Sequence, residues 1–182
     1  MTGPAPAPAD ALPAAVAETA LGWAGVALSP EGIRHATLFH ATREAALGEL
    51  RAFGGSEAET SALREACARL KAYARGDLAA LAAFPVDLPA GLPGASRRVL
   101  LALREIPPGE TRSYGWLAVR AGLGSGAARA AGAIIGANPA PLWLPCHRVV
   151  AADGSLHGFA GGLALKRRLL EHEGALPRSL LP

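Results

Sequence analysis

The 182-residue chain has only two cysteines, Cys67 and Cys146. No CxxC or HxxxH spacing is present, so no zinc site and no metal is expected. Aromatic residues are scarce at 5%, which leaves a core of small aliphatic side chains, rich in alanine. No run of about 18 apolar residues is free of charge, so no membrane-spanning helix is expected. The first ten residues have no basic start and do not read as a signal peptide. Pro4, Pro6 and Pro8 instead argue for a disordered tail. Without a secretion signal, a reducing cytoplasm is the expected setting and both thiols are expected to be free.

What is present is enough apolar residue, 51%, for a sizeable core. The net charge of +3 is unevenly spread. Residues 1–90 hold 7 Lys/Arg against 10 Asp/Glu, and residues 91–182 hold 11 against 5. A basic second half favours a polyanionic partner, nucleic acid above all, although arginine-favouring coding would give the same bias.

Residues 19–40 read as a β-hairpin, two β-prone runs flanking Ser29-Pro30-Glu31-Gly32. Thr42 is placed to cap a helix that Gly54-Gly55 stops, and a second helix is expected over 60–75 with Cys67 on its buried stripe. Three prolines in 79–94 read as a linker between lobes. Beyond it, helices are expected over 96–105, over 114–121 capped by Ser113, over 126–135 capped by Ser125, and over 163–172. In the last of these, Leu165, Leu169 and Leu170 are expected inward and Lys166, Arg167 and Arg168 outward. The middle pair forms a helix-turn-helix candidate, a motif also common in ordinary helical packing. The expected class is α+β, a small N-terminal α/β lobe with a β-hairpin followed by a mostly helical C-terminal domain containing the helix-turn-helix. The expected boundaries are a tail over 1–18, the N-terminal lobe over 19–84, a linker over 85–94, the C-terminal domain over 95–176 and a tail over 177–182.

Cys146 lies between Pro145 and His147, after a β-like apolar run. A thiol becomes a strong nucleophile when a base or a positive group promotes its ionisation. His147 could take the proton, and Glu173 could orient His147 and stabilise its charged form. Neighbouring side chains on a strand point to opposite faces, so this relay needs a bend or a bridging water. Pro145 makes an irregularity expected. On spacing alone, a buried structural cysteine with a satisfied histidine fits as well.

The hexapeptide Pro145-Cys146-His147-Arg148-Val149-Val150 resembles the active-site motif of the O6-alkylguanine-DNA alkyltransferases, also called methylated-DNA–protein-cysteine methyltransferases. Four further blocks follow that family's order and near-matching spacing: residues 106–110 with Ser113-Tyr114, residues 127–130, Asn138-Pro139, and His172-Glu173-Gly174. The resemblance covers residues 99–174 and extends more weakly to the N-terminal lobe. It implies single, irreversible transfer of an alkyl group from O6-alkylguanine in double-stranded DNA to Cys146, with O4-alkylthymine left open and no cofactor. It implies approach through the minor groove and flipping of the base into a pocket. Catalytic roles fall to Cys146, His147, Glu173, Tyr114 and Asn138. Arg129 would fill the space left in the stack, and Tyr114, Ser113, Ser125 and Ala128 would also meet DNA. Tyr114 would press on the 3′ phosphate and offer its hydroxyl to guanine N3. Asn138 would tie the recognition helix to the cysteine loop, and Arg148 would be structural. Pro141, Val149, Phe159, Ala160 and Gly161 would form the substrate pocket, Ala160 through its backbone N–H. The small residues over 127–133 suit a helix entering a groove only about 6 Å wide, and equally suit close helix packing. A monomer is expected.

The sequence departs from the family's pattern at Phe159-Ala160, where a tyrosine and a polar residue are usual, and at Gly115-Trp116, where glutamines are usual. The first puts the preference among alkyl groups in question. Three other readings remain: a lesion-recognition protein that transfers nothing, a helix-turn-helix regulator with an inert Cys146, and a cysteine hydrolase.

Overall fold

The computed structural model describes residues 11–177. Strands β1 (Leu12–Thr19), β2 (Gly22–Ser29) and β3 (Gly32–Ala36) form an antiparallel meander, and the short β4 (Gly55–Glu57) adds parallel to β1. The order is β3-β2-β1-β4. The strand alternation divides β2 between two faces. Ala27, with Ala14, lies under Leu50 of helix α1 (Arg43–Ala52). Ala24, Val26 and Leu28 face a larger core with Leu63, Ala66, Leu70 and Tyr73 of α2 (Ser61–Ala74). Thr42 and Thr60 cap the two helices through hydrogen bonds from Ala45 and Leu63 N–H, contacts worth about 1 kcal/mol each.

The second half is α3 (Gly94–Ala102), β5 (Arg112–Ser113), α4 (Tyr114–Arg120), α5 (Ala128–Gly136), β6 (Val149–Val150) and α6 (Gly162–His172). Ser113 caps α4 through Trp116 N–H. Helices α4 and α5 pack together as a helix-turn-helix, and β5 pairs with β6 in parallel. One apolar core runs through both lobes, taking in Ile33 and Leu70 as well as Leu100, Ile106 and Leu169. The lobes are also tied by Ala36 N–H to the Pro139 carbonyl (2.9 Å) and by Arg168 to the Leu21 carbonyl (3.1 Å). The class is α+β. Among the described residues, no helix is long and apolar enough to cross a membrane.

Several expectations are corrected. Residues 12–18, assigned to a tail, belong to β1, an inner strand of the sheet. Pro13 is tolerated because the β1–β2 ladder begins at Ala14. Residues 1–10 and 178–182, the rest of the two expected tails, lie outside the described residues. The stretch 85–94 is docked rather than free. Ile33 N–H donates to the Pro85 carbonyl and Asp87 N–H to the Ile33 carbonyl, both at 2.9 Å. Gly32 permits this approach, since a Cβ there would lie 2.5 Å from the Pro85 oxygen. Ser125 does not cap a helix. It opens a 3-10 turn, Ser125–Ala127, and α5 starts after it without a side-chain cap. The apolar run before Cys146 is a tight turn and not a strand, with Leu142 in the left-handed region at φ 74°. Its apolar character reflects burial in the domain core.

Candidate active site

Pro145 breaks the buried run, and Cys146–Arg148 forms one 3-10 turn. That turn supplies the bend that a strand would have denied to Cys146 and His147. Cys146 lines a cavity of about 1160 Å³. Around it stand Tyr114 and Arg129 from the helix-turn-helix, Asn138 and Pro141 from the loop after α5, and Phe159, Ala160 and Gly161 from the loop before α6. Ala128 lines it too, and Leu38, Phe39, His40 and Phe53 continue the wall into the N-terminal lobe.

Behind the thiol, and off the cavity wall, His147 and Glu173 are buried. His147 Nε2 donates to Glu173 Oε1 at 2.9 Å. This leaves Nδ1 as the acceptor nitrogen, buried and without a protein partner. Arg148 donates from Nε to Oε2 and from Nη2 to Oε1, each at 2.8 Å, and from Nη1 to the Ile106 carbonyl at 2.6 Å. It therefore clasps the end of α6 to the cysteine turn and does not face the cavity.

The electrostatics follow from this burial. Burial alone would raise the Glu173 carboxyl, but hydrogen bonds from His147 and Arg148 and their charges hold it well below the usual range. Burial lowers the His147 imidazole more than Glu173 raises it. Burial pushes the Cys146 thiol up, against the Asn138 amide, the Lys166 charge and the backbone N–H groups of Cys146 and His147. At neutral pH the resting site is thus a thiol, a neutral imidazole and a carboxylate.

Asn138 lies two residues past the end of α5. Its Nδ2 donates to the Leu144 carbonyl (2.7 Å) and its Oδ1 accepts from Ala140 N–H (3.1 Å), which fixes the approach to the cysteine turn. The Tyr114 hydroxyl donates to the His157 carbonyl at 3.2 Å. Arg129 is exposed on α5. Ser113 is occupied in capping α4, Ser125 is exposed beside α5, and neither lines the cavity. Val149 is fully buried in β6 and is not on the cavity wall. Trp116 packs against the core under the Arg112 guanidinium, 5.7 Å from the ring centre.

Lys166 is the largest departure from the sequence reading. It was expected outward and is fully buried. Its ammonium donates to the His157 carbonyl at 2.9 Å, the oxygen that also accepts from Tyr114, and lies 5.8 Å from the Tyr114 ring centre. Burial lowers the Lys166 ammonium, and the Cys146 thiolate would raise it. Helical spacing carried no signal for this, because the long stem delivers the charge away from the helix face it starts from.

Residues 95–175 match the family described as the 6-O-methylguanine DNA methyltransferase, DNA binding domain. The chain is similar to the methylated-DNA–protein-cysteine methyltransferase of Salmonella typhimurium, 44% identical over 108 residues, 59% of this chain and 61% of that protein. The match thus spans about three fifths of that relative's length. It is similar to the protein of the same name from Mycobacterium leprae, 44% identical over 115 residues, 63% of this chain and 67% of that protein. Among solved structures, it resembles the Mycobacterium tuberculosis O6-methylguanine methyltransferase (TM-score 0.67, 32% identity, 92% of this chain and 97% of that one). It also resembles M. tuberculosis OGT in complex with DNA (TM-score 0.71, 33% identity, 89% and 92%). With the Pro145-Cys146-His147-Arg148 turn set over a buried carboxylate and these likenesses spanning both lobes, the chain belongs to the methylated-DNA–protein-cysteine methyltransferase family.

Proposed function

We propose that this chain repairs DNA by moving an alkyl group, methyl in the simplest case, from guanine O6 to Cys146 Sγ, once per molecule. The observation that carries the reading is the position of Cys146. It is the point where a cavity opening beside the exposed Arg129 meets the buried His147–Glu173 pair. The DNA-bound M. tuberculosis structure supports a DNA partner.

The helix-turn-helix lies along the minor groove. The small residues of α5 allow close approach, and Arg129 occupies the gap left when the lesion base swings into the cavity. His147 Nδ1 takes the thiol proton, directly or through one water, and Glu173 stabilises the imidazolium that results. Sγ attacks the alkyl carbon; the S–C bond forms as the C–O6 bond breaks, and its electron pair restores the guanine carbonyl. The Tyr114 hydroxyl supplies a proton toward guanine N3, so the base leaves neutral, and solvent returns a proton to the phenolate from the imidazolium. The thioether does not hydrolyse, which limits each molecule to one event. We place the activity in a cytoplasmic monomer.

The test is stoichiometry. A duplex carrying one O6-methylguanine should lose its methyl group in proportion to protein, with one equivalent moved and then no more. Continued turnover would favour a hydrolase, and tight binding without transfer would favour lesion recognition alone.

A further inference from the structure

Glu173 has a hydrogen-bond donor outside the C-terminal domain. Tyr73, in the last turn of α2, is 1% exposed, and its hydroxyl donates to Glu173 Oε1 at 2.7 Å across 100 residues of chain. The same oxygen accepts from His147 Nε2 (2.9 Å) and Arg148 Nη2 (2.8 Å). Tyr73 is held from both ends: its ring meets His172 edge-on with centroids 5.3 Å apart, and His172 Nε2 donates to the Tyr73 carbonyl at 2.8 Å. The residues that match the family's DNA binding domain, 95–175, do not include it.

We propose that Tyr73 is a positioning residue for alkyl transfer, its hydroxyl holding Glu173 Oε1 in place and setting how strongly the carboxylate draws the proton on His147. The proposal rests on the reading above and assigns the N-terminal lobe a part in the relay. A carboxylate oxygen has two lone pairs, so three donors on Oε1 share its charge. Each donor weakens the pull left for the others. The groups around His147 are Cys146 and Arg148 on its own turn, Glu173 at the end of α6, Lys166 within α6, and Tyr73 from α2. Among these, Tyr73 is the one that reaches Glu173 as a neutral donor. Deleting its hydroxyl removes one bond and no charge. Glu173 then binds the imidazolium proton more firmly, and His147 stays protonated to higher pH.

The experiment uses the full chain with Tyr73→Phe, which keeps the ring. Single-turnover methyl transfer is followed across pH, with duplex affinity and urea midpoint measured alongside. In the wild type the rate rises as the coupled Cys146–His147 pair loses its proton. In Tyr73→Phe that rise should move up by about one pH unit and end on a plateau up to about tenfold faster, since the more basic His147 takes the thiol proton more readily, while duplex affinity is unchanged. A pH profile that does not move, from folded protein, would overturn the proposal and leave Tyr73 a packing residue. The chain has only two tyrosines. In a Tyr114→Phe background, 3-fluorotyrosine therefore labels Tyr73 alone and makes it a stronger donor. The rise should then move to lower pH, and a shift in the other direction or none would also overturn the proposal. This second arm decides the matter if Tyr73→Phe does not fold. Absence of transfer from the wild type itself would instead remove the functional reading on which the proposal rests.

Discussion

Glu173→Gln tests the buried clasp most severely. The carboxylate accepts from Tyr73, His147 and twice from Arg148, and its side chain is 0% exposed. Glutamine keeps the shape but offers one oxygen, and its amide turns two donors toward a guanidinium that is itself a donor. Removing one partner of a buried ion pair typically costs about 3–5 kcal/mol, because the other charge stays buried and unpaired. Domains are stable by only about 5–15 kcal/mol, so the variant should lose a large part of its margin. With a urea m-value of about 2 kcal/mol per molar, the midpoint should fall by roughly 1.5–2.5 M. Trp143, buried just before the cysteine turn, makes tryptophan fluorescence a suitable probe. The double variant Glu173→Gln, Arg148→Met should recover part of the loss, since it removes the stranded charge. A fall below about 1 kcal/mol for Glu173→Gln, or a double variant less stable than the single, would refute this account of the clasp.

The same cluster fixes three further outcomes. The His147 pKa is lowered on folding, so the unfolded chain binds the extra proton and stability should fall as pH drops below about 6.5. Glu173 is also lowered, so its stabilisation is full above about pH 4.3 and is lost as pH falls below that; unfolding midpoints that are flat from pH 7 to 3 would contradict both. Because burial raises the Cys146 thiol, alkylation by iodoacetamide, compared between wild type and Cys146→Ala, should climb only above the ordinary range near pH 8.5. A thiol titrating below pH 7 would show that Lys166 and Asn138 outweigh burial. Gly161→Ala should disturb the loop before α6, since its Cβ would lie 2.7 Å from Leu165 Cδ2 and 2.9 Å from Leu38 Cδ1. We expect slower transfer and about 1–3 kcal/mol of lost stability, checked by single-turnover rate and urea midpoint. Arg129→Ala should slow transfer from duplex more than from single-stranded DNA, where no gap needs filling; equal losses would contradict the finger role.

The sequence disclosed what depends on local chemistry. Thr42 and Ser113 announced two helix starts because a cap is a short-range contact. Pro145 announced the break in the extended run, which becomes the 3-10 turn Cys146–Arg148. What stayed hidden was set by distant partners. Strand β1 was obscured by the prolines before it and by a run of small residues, Ala14 and Ala17 among them, with little contrast between faces. The segment 85–94 looks like a linker until the edge of β3 supplies its hydrogen bonds. Tyr73 sits on an ordinary helical stripe, and nothing within α2 tells that its hydroxyl meets an acid 100 residues away. Lys166 follows the same logic, buried against a carbonyl that only the folded loop provides.

The central claim is that Cys146 accepts the alkyl group. The direct measurement is mass spectrometry of the digested protein after one exposure to a duplex bearing O6-methylguanine. The account predicts a gain of one methylene on the peptide that contains Cys146 and none on the peptide that contains Cys67. An unmodified Cys146 peptide from protein that has removed the methyl group from the DNA, or a modified Cys67, would contradict it.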